Sequence, residues 1–180
     1  MYRQCTTEKT AAQQKIFLDA LYYAMQDQLY SEISITDLCK QTGLSRNIFY
    51  RLFDCKDDIL YALIDNCFYE CSQEIVTGEP REKLLSFFIF WKNQKVLLDV
   101  LKKNRLESLL SVRGTICCCH IDLGIHNLLG VSKKIDDIST ISFYVSGFIG
   151  LLFHWYTSDF LKSPEEMADI TLQIFSLHQK

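Results

Sequence analysis

At 180 residues the chain is one or two domains long, and a chain of that length buries about two-thirds of its unfolded surface. Apolar residues make up 48% and charged residues 23%, which excludes a disordered chain, and seven glycines with two prolines disfavour a turn-rich all-β fold. The net charge of −3 excludes a protein that binds polyanions over its whole surface.

Residues 1–7 read as an arm, and Arg3 and Lys9 add cations suited to phosphate. The N-terminus is polar through Gln14 and lacks the apolar run of a secretory leader. Eight cysteines are too few for a secreted disulfide scaffold, so the expectation is a cytoplasmic protein with reduced thiols. From Glu8 to Gln28, Ala12, Ile16, Leu18, Ala20, Leu21, Tyr23 and Ala24 fit a helix, with Leu29 to Glu32 as the connection that follows.

Ser34 to Lys56 predicts two short helices around a tight turn. Ser34 caps the first, with Asp37 three places on. Ile35, Leu38 and Cys39 form its apolar face. Gly43 stands where a helix end needs a left-handed residue. Leu44 plugs the space between the helices, and Ser45 caps the second. Ile48, Phe49, Leu52 and Phe53 then point inward, leaving Arg46, Asn47, Tyr50 and Arg51 outside. A helix-turn-helix needs such polar side chains near the start of its second helix. Arg46 suits guanine and Asn47 suits adenine. Ser34, Ser45, Tyr50 and Lys56 suit phosphate oxygens, which position without reading sequence. A plain helical hairpin would share the glycine cap, so the pattern alone leaves both readings open.

This stretch resembles the DNA-binding domain of the TetR family of bacterial transcription regulators. The resemblance rests on Ser34, Ile35, Asp37, Leu38, Gly43, Leu44, Ser45, Phe49, Tyr50, Arg51 and Phe53, followed by Lys56, Asp57, Asp58, Ile59 and Leu60. The chain departs from the family at Asn47, where members often have a small residue. It also departs at Leu52, commonly aromatic, and at Cys39 and Thr42, commonly alanine. The resemblance implies a three-helix head over residues 1–53 that binds double-stranded DNA.

Lys56 opens a long helix with Asp57 and Asp58 in its first turn, where the helix dipole favours acid. Its stripe of Ile59, Leu60, Leu63, Ile64, Cys67, Phe68, Cys71 and Ile75 is expected to run on to Gly78. Pro80 suits the first turn of the next helix. Residues 92–105 carry Lys92, Lys95, Lys102, Lys103 and Arg105 against Asp99, and read as a solvated basic face; a second DNA contact or an anion site are the alternatives. Cys117, Cys118, Cys119, His120 and His126 are ligand types for zinc, but three adjacent cysteines on a helix point three ways and no C-x2-C spacing occurs. Buried packing is the expected role of the thiols, with a reactive sensor as the alternative.

Residues 138–157 contain no Asp, Glu, Lys or Arg and are long enough to span a bilayer. Ser139, Thr140, Ser142, Ser146 and His154 lower the hydrophobicity, and acids flank both ends, so a buried protein helix is expected instead. Ser142, Ser146 and Gly150 recur every fourth residue and allow a close helix approach. Ser163, Pro164 and Glu166 mark the start of the last helix, whose apolar edge is Met167, Ile170, Ile174 and Leu177. This tail is also similar to the TetR family through Phe143, Gly147, Gly150, Trp155 and Ser163 to Met167.

The expected fold is all-α: a helix-turn-helix head over 1–53 and a helical body over 54–180 for dimerisation and ligand binding. The resemblance implies a repressor that binds a palindromic operator as a homodimer and is released by a small-molecule effector. The interface is expected at Ser142, Ser146, Gly150, Met167, Ile170 and Ile174, and an effector pocket at Phe87, Trp91, Cys117, His120 and Phe143. No cofactor, metal, catalytic residue or membrane partner is expected. No nucleophile–base spacing, phosphate loop or H-E-x-x-H run supports an enzyme. The reading from another class is a cysteine-based redox or metal sensor.

Overall fold

Thr7 starts the first helix: its hydroxyl oxygen accepts from the Thr10 N–H at 3.2 Å. The computed structural model describes Tyr2 and residues 7–75, 78–120 and 137–176. Within these the chain is helical: α1 Glu8–Asp27, a 3-10 turn Tyr30–Glu32, α2 Ile35–Thr42, α3 Arg46–Leu52 and α4 Lys56–Glu74. The body continues with α5 Pro80–Asn93, α6 Lys95–Lys103, α7 Ser108–His120, α8 Ile138–Thr157 and α9 Pro164–Ser176.

The head is held by aromatic packing. Phe17 of α1 meets Phe49 of α3 edge-to-face at 5.4 Å and Phe53 at 6.0 Å, contacts worth about 0.5–1.5 kcal/mol each beyond area burial. Leu21, Met25, Leu38 and Ile59 complete this core. Ile48, expected inward, is only half-buried.

α4 ends at Glu74, short of Gly78, and carries the core from head to body. α5 packs mainly on α9, and α7 on α8 and α4. Phe88 meets Trp155 edge-to-face at 5.4 Å across α5 and α8. Gly114 is a point of close approach: a Cβ there would lie 2.8 Å from the Phe68 ring and 3.0 Å from Val145. α8 is apolar and long enough to cross a membrane. Here its Ile141, Val145, Phe148, Ile149, Leu152 and Trp155 face is buried in the body. Asp137 caps it by accepting from the Thr140 N–H at 2.7 Å.

Two polar sites tie elements together. Asp65 of α4 pairs with Arg113 of α7 through both oxygens, with Nε to Oδ1 at 2.8 Å, and both side chains are nearly buried. Tyr2 donates its hydroxyl to Asp65 at 2.6 Å, so this residue of the expected loose arm is docked on the body. The second site is the 3-10 turn after α1. The Tyr30 N–H donates to Asn104 at 2.5 Å, and Lys103 donates to the Gln26 carbonyl at 2.8 Å, both from the end of α6. Lys56 donates to the Tyr30 and Ile33 carbonyls at 2.6 and 2.7 Å and lies 4.1 Å from the Tyr30 ring centroid. The Tyr30 hydroxyl donates to Asp57.

The basic stretch 92–105 keeps its expected exposed face, with Lys92, Lys95, Lys102, Lys103 and Arg105 all on the surface. It breaks at Gln94 into the end of α5 and all of α6. Lys95 pairs with Asp159 at 2.8 Å, Lys102 sits 5.3 Å over Tyr156, and Lys103 holds α1. Long stems with charged heads let lysines cover apolar surface while pairing at its edge.

Candidate nucleic-acid interface

α3 and the helix before it are set by two caps and a turn. The Ser34 hydroxyl oxygen accepts from the Asp37 N–H at 3.1 Å, and Ser45 accepts from Ile48 at 3.3 Å. Gly43 ends α2 with φ of 69°, a left-handed conformation that glycine adopts without a Cβ penalty. The Thr42 hydroxyl donates to the Leu38 carbonyl at 2.8 Å and accepts from the Leu44 N–H at 3.3 Å. Phe49 and Leu52 then bury the inner face of α3.

Arg46, Asn47, Tyr50 and Arg51 are left exposed on the outer face, as the sequence pattern predicts. Their surroundings differ. Arg51 donates through Nη2 to Gln13 of α1 at 2.8 Å, which fixes the guanidinium against the head. The Ser34 hydroxyl donates to Asp37, so its proton is already engaged, while Ser45 makes no such donation among the described residues. Burial lowers the pKa of Lys56, and two of its three donor directions reach backbone carbonyls. Thr36, Lys40 and Gln41 on α2 are also exposed beside the turn. Thr36 and Gln41 were not singled out by sequence; their signal is a polar residue opposite the Leu38 and Cys39 face. Over Ser34 to Arg51 three cations stand against Asp37, so this face is locally positive.

Of the expected pocket residues, Phe87 and Trp91 are buried together, with ring centroids 6.2 Å apart. The Trp91 indole N–H is buried and meets no oxygen or nitrogen acceptor among the described residues; the group it faces is the Cys71 sulfur, a weak acceptor. Cys117 is buried across the body, its sulfur 3.4 Å from Asp65. Phe143 is a correction: it is 69% exposed, on the outer side of α8, so it lines no interior pocket here. The His120 side chain lies outside the described residues, as do Arg3, His126 and Leu177.

The small-residue ridge opens outward. Ser146 and Gly150 are exposed and Ser142 is half-buried; a Cβ on Gly150 would meet nothing within 4 Å. Ile170 and Ile174 retain surface on α9. Met167 is a correction: at 3% exposure it belongs to the core of its own chain and has no surface to offer a partner.

Burial pushes the Cys117 thiol up to about 12 and the Cys118 thiol up to about 11. Both are therefore neutral near pH 7, the form that is neither nucleophile nor metal ligand. Cys55 is exposed at the start of α4, and its side chain makes no cap hydrogen bond. Among the described residues no three His, Cys, Asp or Glu side chains converge on a metal-sized point.

Residues 79–177 match the model of the TetR-type transcriptional regulator C-terminal region. The fold is similar to the crystal structure of a TetR transcriptional regulator from Streptococcus agalactiae 2603V. That match has 17% identity, covers 92% of this chain and 94% of the other, and has a TM-score of 0.68. A second similar structure is the dihydroxyacetone kinase operon activator DhaS, at 13% identity, with 92% and 94% covered and a TM-score of 0.55. No curated protein matches the sequence.

Proposed function

Because this chain belongs to the TetR family of transcriptional regulators, we propose that it is a cytoplasmic repressor that binds a palindromic operator as a homodimer and leaves it when a small effector binds the body. The observation that carries this reading is α3: a helix capped by Ser45 and anchored by Phe49, with Arg46, Asn47 and Tyr50 exposed along its outer face. Arg46 and Asn47, at the helix start, are the base readers. Ser45, Tyr50, Arg51 and the third donor of Lys56 contact phosphates, with Thr36, Lys40 and Gln41 beside them. Ser34 acts through its cap.

Dimerisation runs through α8 and α9, with Phe143, Ser146 and Gly150 of one protomer against the same face of its partner and Ile170 and Ile174 at the edge. Exposed apolar surface next to small residues supports this. The effector site is the body interior around Phe87, Trp91 and Cys117. The Trp91 N–H, which faces only the weak acceptor sulfur of Cys71, supports an effector that carries a stronger hydrogen-bond acceptor.

The test is a binding titration against a duplex enriched from a random pool and a scrambled duplex, at several salt concentrations. The chain is expected to prefer the enriched duplex, which should contain an inverted repeat. Equal binding to both duplexes, or to neither, refutes the regulator reading. Transcription from a promoter carrying the enriched site should fall when protein is added; a rise assigns an activator, the role named for DhaS.

A further inference from the structure

α1, α4 and the corner between α5 and α6 enclose a cleft of about 510 Å³, within the range of small-molecule sites. It is separate from the body interior around Phe87 and Trp91, neither of which lines it. Its floor is apolar, made by Leu18, Leu63 and Leu97, and the half-buried ring of Tyr22 forms one wall. Its rim is polar and carries Lys15, Asp19, Asn66 and Glu70. The charges do not cancel: two carboxylates face one ammonium. Lys15 is held by both oxygens of Asp19, at 3.0 and 2.7 Å. Glu70 is exposed and makes no hydrogen bond or ion pair within 4 Å among the described residues; it acts on Lys15 only at longer range, the ammonium being held by Asp19.

We propose that this cleft is a binding site for an organic ammonium with an apolar body. The cation sits against Glu70 and the side-chain oxygen of Asn66, where its N–H groups meet acceptors. The apolar body lies on the three leucines, and the Tyr22 ring offers a face to the positive charge. An anion of the same shape meets Glu70 as a like charge and is rejected. Such a ligand touches both the helix that supports α3 and the helix that leaves the head. The proposal does not rest on the regulator reading, because binding is measured without DNA.

The experiment uses the full chain and two probes of similar size and opposite charge, phenethylammonium and phenylacetate, followed by ligand-observed magnetic resonance and calorimetry. Phenethylammonium is expected to bind and phenylacetate not to. Glu70→Gln should weaken phenethylammonium about fivefold, the loss of one partly exposed charge contact. Lys15→Met should strengthen it by freeing Asp19. Asn66→Trp should abolish it by filling the cleft from an exposed α4 position, with circular dichroism confirming that each variant is folded. No binding at millimolar phenethylammonium, equal binding of phenylacetate, or undiminished binding to both Glu70→Gln and Asn66→Trp overturns the site. Loss of binding in Trp91→Phe with Glu70→Gln unaffected also overturns it, by moving the ligand to the body interior.

Discussion

Arg46 and Lys56 should fail in different ways when each is cut to alanine. Arg46 is exposed; its loss is expected to cost about 1–3 kcal/mol on the enriched site and to relax one base position in each half-site. Lys56 ties the Tyr30 and Ile33 carbonyls, and its third donor is the one proposed to meet phosphate. Lys56→Ala should therefore weaken all duplexes alike, flatten the salt slope by about one unit per lost contact, and also lower the unfolding midpoint. Salt-dependent titrations beside thermal melts separate the two. If Arg46→Ala weakens enriched and scrambled duplexes in parallel, Arg46 is a phosphate contact and Asn47 becomes the base reader. The thiols make a second residue-scale test. The folded values of Cys117 and Cys118, about 12 and about 11, lie above that of a free thiol, about 8.5. The folded state thus keeps protons that the unfolded state releases, so this stability is fully present below the unfolded value and is lost as pH rises toward 11 and 12. The unfolding midpoint should hold from pH 7 to 8 and fall above about pH 9. Iodoacetamide at pH 7 should label Cys55 first and reach Cys117 and Cys118 only after denaturant. Rapid labelling of Cys117 in the folded protein, with loss of DNA on peroxide, would revive the sensor reading.

At the scale of elements, the two glycines that matter do different work. Gly43 has open space around it, so Gly43→Ala acts only through its left-handed φ of 69° and should cost about 1–2 kcal/mol. Gly114 has an ordinary helical backbone but no room, with Phe68 and Val145 within 3.0 Å. Gly114→Ala should overpack the crossing of α4, α7 and α8 and cost about 1–3 kcal/mol. Urea unfolding of both variants checks the ordering, and an unchanged midpoint for Gly114→Ala would mean the crossing relaxes. Local chemistry made most elements readable beforehand. Ser34, Gly43 and Ser45 mark the bounds of α2 and α3, Pro80 starts α5, and Ser163 with Glu166 forms the reciprocal cap of α9. What escaped was set by distant neighbours. The break at Gln94 carries no proline or glycine, and Lys95 and Lys102 find Asp159 and Tyr156 about sixty and fifty positions away. Gly114 looks like any helical glycine until Phe68 is placed beside it.

For the whole molecule, the exposed face of α8 is the surface on which the proposed dimer rests. Gly150 is exposed and has nothing within 4 Å of its absent Cβ, so the side chain of Gly150→Leu starts into open space in the isolated protomer. In the proposed dimer the same substitution should push the close approach apart. Its expected signature is an unchanged far-ultraviolet spectrum with a weaker dimer in sedimentation and weaker binding to the inverted repeat. A wild type that sediments as a monomer at micromolar concentration refutes the two-fold assembly. The period of Ser142, Ser146 and Gly150 marks this small-residue face in the sequence, whereas the apolar edge of α9 does not say which side meets α5, and Met167 lies in the core. The joint between head and body was not legible at all, since no pattern links Tyr30 to Asn104 across seventy-four positions. That joint bears on grafting. A head cut out at residue 53 and fused to another regulator's body would leave the Tyr30 N–H and the Gln26 carbonyl facing whatever α6 the host supplies. The transplantable unit is therefore discontinuous in sequence: residues 7–53 together with Lys56, Asp57, Lys103 and Asn104.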